Sequence, residues 1–147
     1  MALAQGERIP ELRVTPDKYL TNRYAGASGD FNPIHIDPDF AKAVGLPGTI
    51  LHGLYMMGLV ARANTEAAGG DPRALKRLKV QFRGMGTPEQ EIVVSGEVKS
   101  AEDGTAVVDT VAAQGENQTI PIDREINVTS CCAMPARPET IPNCTSR

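Results

Sequence analysis

The chain reads as a single α+β domain in which an antiparallel sheet wraps one long buried helix. Residues 50–68 form the longest segment with helical periodicity, and its first three turns are apolar nearly all round. That is the pattern of a helix covered on more than one side. From residue 74 the period shifts from 3.6 to 2, and strand-like segments then follow one another to residue 133. One extended segment precedes the helices and four follow them, with no internal repeat and no linker, which is the order of a sheet closed over a helix.

The elements follow from local chemistry. Residues 7–15 are extended, and Pro10 within them suits an edge strand. Thr15 and Pro16 read as the N-cap and first position of a helix running to about Gly26. Asp37 and Pro38 repeat that signal for a short helix over 37–44, which Gly45–Gly48 ends. Gly69-Gly70-Asp71 terminates the long helix. Strands are expected over 74–83, 90–99, 105–113 and 120–133, with Asp103-Gly104 turning the chain between the second and third. The domain is set at residues 1–134, and the proline-rich stretch 135–147 is expected to be a disordered tail.

Composition narrows the function classes. The 147 residues include 41% hydrophobic side chains, enough for one domain with a real core. With 15 basic and 18 acidic residues the net charge is −3, which argues against a general nucleic-acid binder. No apolar run approaches the length of a membrane span, and the first residues lack a secretory signal, so a cytoplasmic protein is expected. Cys131, Cys132 and Cys144 form no disulfide framework or zinc spacing and read as reduced thiols.

The chemistry concentrates in one window. Both histidines of the chain, His35 and His52, lie within it, and Asp30, Asn32 and Pro33 precede His35. Pro33 fixes its own φ and biases Asn32 toward extended backbone, so a tight rigid loop is expected between the acid and the imidazole. A carboxylate and an imidazole that converge can share one water and move a proton in each direction. Taken singly, Asp30 reads as a turn residue and His35 as a structural histidine; the combination gives the catalytic reading.

Tyr24, Ala25-Gly26-Ala27-Ser28-Gly29, Asp30, Asn32-Pro33-Ile34-His35 and Asp37, followed by His52-Gly53, resemble the signature of the MaoC-like, R-specific enoyl-CoA hydratase family of the hot-dog fold. The resemblance is specific over residues 24–60 and architectural from 74 to 133. It implies that Asp30 and His35 hold the water that adds to a trans-2-enoyl thioester, giving a (3R)-hydroxyacyl thioester, with dehydration as the reverse. It also implies that the Gly53 backbone N–H receives the thioester oxygen as negative charge develops, a task suited to a helix N-terminus. Asn32 would orient the loop, and His52 would anchor the helix start. Tyr55, Met57 and Leu59 would line the acyl chain, although methionines such as Met56 and Met57 on an apolar helix more often pack the core.

Hydration of an enoyl thioester needs a base, an acid and an oxyanion partner, so neither a cofactor nor a metal is expected. CoA or an acyl-carrier thioester would be the substrate. Lys76, Arg77, Lys79 and Arg83 make a basic strand face that is either solvated charge or a contact for CoA phosphates or an acidic carrier. A lone hot-dog domain would expose a long strand edge, so a dimer is expected, either a homodimer or a heterodimer with another hot-dog subunit. The same segments resemble dehydratase subunits of mycobacterial fatty-acid elongation and hydratases of steroid side chains. Two other classes stay open. A hot-dog thioesterase usually activates water with an acid on or near the long helix, which here has none until Glu66, far from the His52-Gly53 start. A non-catalytic acyl-binding subunit would not need the Asp/His pair.

Overall fold

The computed structural model describes residues 3–115 and 118–120. Strand β1 (Arg8–Val14) leads into helices α1 (Leu20–Ser28), α2 (Pro33–Ile36), α3 (Pro38–Ala43) and α4 (Gly53–Ala67). A 3-10 turn at Pro72–Ala74 and an extended segment follow, then β2 (Ile92–Glu102), β3 (Thr105–Gln114) and β4 (Gln118–Ile120). The described sheet is antiparallel in the order β1-β2-β3-β4, with β1 at one end as its proline leads one to expect. Asp103 (φ 49°) and Gly104 (φ 73°) make the β2–β3 turn, both in the left-handed region that two-residue hairpins favour.

Alternation along β2 as far as Val98, and along all of β3, puts Ile92, Val94, Val98, Val108 and Ala112 on the face toward α4. The helix answers with Met56, Leu59, Val60 and Ala63, all buried. This is the hot-dog arrangement: a sheet curled over one central helix. Within the seam, Asn64 and Thr110 are buried polar groups that satisfy each other. The Asn64 amide donates to the Val60 carbonyl at 2.8 Å, and the Thr110 hydroxyl donates to Asn64 Oδ1 at 3.2 Å. Such a pair sets the register of helix on sheet, because sliding either element breaks the bonds between the Thr110 hydroxyl and the Asn64 amide in the interior.

Three expectations are corrected. Helix α1 starts at Leu20 because Asp17, not Thr15, starts the turn: its carboxylate accepts from the Tyr19 N–H at 2.8 Å and its carbonyl from the Leu20 N–H. The loop between Asp30 and His35 closes into a single helical turn, α2, with Pro33 at its first position and His35 inside it. Residues 75–83 alternate only from Arg77 to Gln81, where Leu78 and Val80 pack against the core between exposed Arg77, Lys79 and Gln81; Leu75 also packs on the core, Lys76 and Phe82 are exposed, and the segment pairs with no described strand. Alternation decides which side chains are buried; a strand also needs a neighbour for its backbone groups, and none of the described strands lies beside this segment. Most of the strand expected at 120–133, the boundary at 134, the tail and the three cysteines lie outside the described residues.

Gly96 of β2 sits where three elements meet. A Cβ there would lie 2.8 Å from the Asp109 carbonyl oxygen, 3.0 Å from Thr110 Oγ1 and 3.1 Å from Ile9 Cδ1. Gly96→Ala is therefore expected to destabilise the fold by about 1–3 kcal/mol, read as a lower urea midpoint at unchanged m-value.

Candidate active site

The site forms where α2, the residues before α4 and the start of α4 come together. Gly29 (φ 77°) ends α1, its N–H returning to the Ala25 carbonyl at 2.8 Å, and turns the chain so that Asp30 leaves the helix. Asn32 caps α2, its Oδ1 accepting from the Ile34 N–H at 3.3 Å. The next helix is capped by Asp37, whose carboxylate accepts from the Asp39 and Phe40 N–H groups. With both ends of α2 fixed, His35 points inward and is buried.

His35 Nδ1 lies 2.8 Å from the Ile50 carbonyl oxygen. A carbonyl only accepts, so Nδ1 carries the hydrogen, and in the neutral ring Nε2 keeps its lone pair. Nε2 faces Asp30, with Oδ2 4.0 Å away. That gap is too long for a direct hydrogen bond. A water about 2.8 Å from each atom would subtend close to a right angle, near its own H–O–H angle, and could donate one hydrogen to each. The two side chains differ in exposure, 10% for His35 and 51% for Asp30, so the pair is dry on the imidazole side and open on the carboxylate side.

His52 is almost fully buried as the N-cap residue of α4. Its Nε2 donates to the Asp30 backbone carbonyl at 3.0 Å, and its ring stacks on His35 with centroids 3.8 Å apart and planes 25° apart. Tyr24 lies against its other side at 4.8 Å, and Tyr55 meets Tyr24 edge-on at 5.8 Å. Partial burial pushes the Tyr55 phenol up, against the smaller opposing pull of Arg23 and Arg62, so it is neutral at physiological pH. Gly53 follows as the first residue of α4, where backbone N–H groups lack intrahelical acceptors. The Phe82 ring lies over it: a Cβ at Gly53 would be 3.3 Å from two of its carbons.

Of the residues singled out from sequence, Asp30, Asn32, His35, His52 and Gly53 come together, and Tyr55 reaches the cluster through Tyr24. Met57 is half-buried farther along α4, and Leu59 packs in the core. The sequence reading missed the Ile50 carbonyl, which fixes the His35 tautomer, and Phe82, which covers Gly53. A backbone acceptor leaves no trace in residue identity; a lone phenylalanine closing a basic segment was the available sign for the other. A cleft of about 360 Å³ lined by Arg8, Glu11, Glu97, Lys99 and Asp109 lies on the outer face of the sheet and includes none of the cluster.

Asp30, His35 and His52 each place one potential metal ligand within 4.8 Å of the others. The stacking opposes a shared ion. Ring lone pairs lie in the ring planes, and two planes 3.8 Å apart and tilted by 25° meet far beyond a metal–nitrogen bond of about 2.1 Å.

The model of the MaoC like domain matches residues 4–119. The chain belongs to the MaoC-like family. Among its relatives, Enoyl-CoA hydratase ChsH3 of Mycobacterium tuberculosis is 33% identical over 119 residues, covering 78% of this chain and 39% of the relative. The peroxisomal enoyl-CoA hydratase 2 of Arabidopsis thaliana is 41% identical over 75 residues, covering 50% of this chain and 23% of the relative. The ChsH1-ChsH2 complex from Mycobacterium tuberculosis contains a chain that superposes with a TM-score of 0.71 at 29% identity, covering 79% of this chain and 91% of that one. The chain thus spans well under half the length of either of these curated relatives.

Asn32→Ala removes the cap of α2 and is expected to cost about 1 kcal/mol in urea unfolding, whereas Asn32→Asp keeps an acceptor and costs a few tenths at most.

Proposed function

We propose that this chain hydrates trans-2-enoyl thioesters to (3R)-hydroxyacyl thioesters, or runs the reverse dehydration. The observation that carries the reading is the pairing of a tautomer-fixed His35 Nε2 with Asp30 Oδ2 across a water-sized gap. The held water gives one proton to His35 Nε2 while its hydroxyl bonds the β-carbon. The π electrons of the double bond move toward the carbonyl, forming an enolate oxygen that the Gly53 N–H receives. A hydrogen bond of that kind is typically worth about 3–4 kcal/mol of barrier. His35 then returns the proton from Nε2 to the α-carbon, on the same face, and is neutral again. Asp30 orients the water through its second hydrogen and offsets the transient imidazolium charge.

The reading needs no cofactor. Relatives named enoyl-CoA hydratase support a CoA thioester, and relatives named fatty acid synthase beta subunit keep a carrier-bound thioester as the second candidate. The thioesterase alternative is less well supported, because the first acid on α4, Glu66, is exposed and lies three turns from Gly53, paired with Arg62. We further propose that the chain works as a dimer with another hot-dog subunit. Phe31, Leu54 and Phe82, each next to a residue of the cluster in sequence or in contact with one, are about half exposed, and a named neighbour is itself a two-protein complex. No described helix is long and apolar enough to cross a membrane.

The test is incubation with crotonyl-CoA, following the enoyl-thioester absorbance, the chirality of the product and free thiol. Loss of absorbance with (3R) product and no thiol is the expected result; thiol release would establish the thioesterase instead. Asp30→Asn and His35→Ala are each expected to lower turnover by on the order of 10²–10⁴ with the circular dichroism of the folded protein retained. Near-normal turnover in either folded variant would remove that residue from the mechanism.

A further inference from the structure

Gln114, the last residue of β3, is fully buried and makes three hydrogen bonds with one side-chain amide. Its Oε1 accepts from the Thr87 N–H at 2.8 Å, and its Nε2 donates to the carbonyls of Thr87 and Gln90, both at 2.9 Å. The amide thereby clamps the turn at 86–90 to the end of the sheet. From that turn the Gly86 carbonyl accepts from the Leu51 N–H at 2.7 Å. The contact is close: a Cβ at Gly86 would lie 3.0 Å from Leu51 Cδ1 and 3.4 Å from Gln114 Oε1. Leu51 stands between the two backbone groups on which the site depends. On one side is the Ile50 carbonyl that holds His35 Nδ1, with the Ile50 N–H bonded to the Ile34 carbonyl at 3.1 Å. On the other are His52 and the Gly53 N–H.

We propose that Gln114 is a positioning residue for the active site, acting through the 86–90 turn and Leu51 to set both the Ile50 carbonyl and the Gly53 N–H. It touches no reacting atom. A buried amide is suited to the task because its donors and acceptor lie in one plane with fixed separation, so its three bonds hold Thr87 and Gln90 in one geometry. A shift of about 1 Å at the reacting groups costs up to about 100-fold in rate, so a clamp two residues away from the helix start governs turnover without contacting substrate.

The activity readout rests on the hydratase reading; a second readout does not. The variants are Gln114→Met, which keeps length but removes every polar atom, and Gly86→Ala, which leaves the amide in place and pushes on Leu51. In each, kcat on crotonyl-CoA is expected to fall about 10- to 100-fold with KM within about twofold, at a temperature where circular dichroism shows the variant fully folded. The chain's two histidines make the ring N–H protons assignable by nitrogen-correlated NMR. The His35 Nδ1–H is expected to be protected from solvent exchange in the parent protein and to exchange faster in both variants. A parent protein without hydratase activity would overturn the functional reading alone, since the NMR comparison still decides the role of Gln114. Unchanged kcat and unchanged His35 Nδ1–H exchange in a folded variant would overturn the proposal. If Gln114→Met does not fold, Gly86→Ala decides it by the same two measurements.

Discussion

The 2.8 Å hydrogen bond from the His35 ring to the Ile50 carbonyl organises everything around it. It consumes the one nitrogen that must carry a hydrogen and leaves the other with a lone pair aimed at Asp30. Reverse that tautomer and Nε2 becomes a donor toward a carboxylate, with no basic nitrogen for a water between them. The bond depends on two pieces of chain 15 residues apart in sequence being held together. The burial of the imidazole, the short helix with caps at both ends and the stacked His52 all act to keep them so.

Each element then has a traceable task. Gly29 releases Asp30 from α1, Asn32 and Pro33 start the turn that carries His35, and Asp37 begins the next helix at once. His52 joins the two halves, bonding to the Asp30 backbone while it begins α4, so the Asp30 loop and the N-terminus of α4 share one anchor. The core seals the far side: α4 is fixed on the sheet by apolar packing and by the Asn64–Thr110 pair, so its N-terminus is a rigid platform. A site built on such supports keeps its side chains at fixed distances and angles.

Much of this was legible in the residues, for physical reasons. The proline after Asp37 announces a helix start, His52-Gly53 marks the beginning of α4, and the change of period at residue 74 separates helix from sheet; Pro33, expected to keep a helix out, instead opens α2. Other features were not, because they depend on competition or on partners. Thr15 and Asp17 both offered to start α1, and only the geometry shows that the Asp17 carboxylate takes the Tyr19 N–H. The alternation over 77–81 records which side chains face the core but carries nothing about a ladder partner. Gln114 was readable in principle: it continues the inward register of Ala106, Val108, Thr110 and Ala112, and a glutamine on a core face requires bonded partners there. Which turn it would hold could not be read from spacing.

In the proposed hydration one water, held between His35 Nε2 and Asp30 Oδ2, supplies both groups added to the double bond. The most direct measurement is the stereochemical course of hydration of a trans-2-enoyl-CoA in D₂O, read from the relative configuration of deuterium at the α-carbon and hydroxyl at the β-carbon by proton NMR. Syn addition is expected, both groups on the same face, with (3R) configuration at the β-carbon. Anti addition would contradict it, because it requires an acid and a base on opposite faces of the substrate.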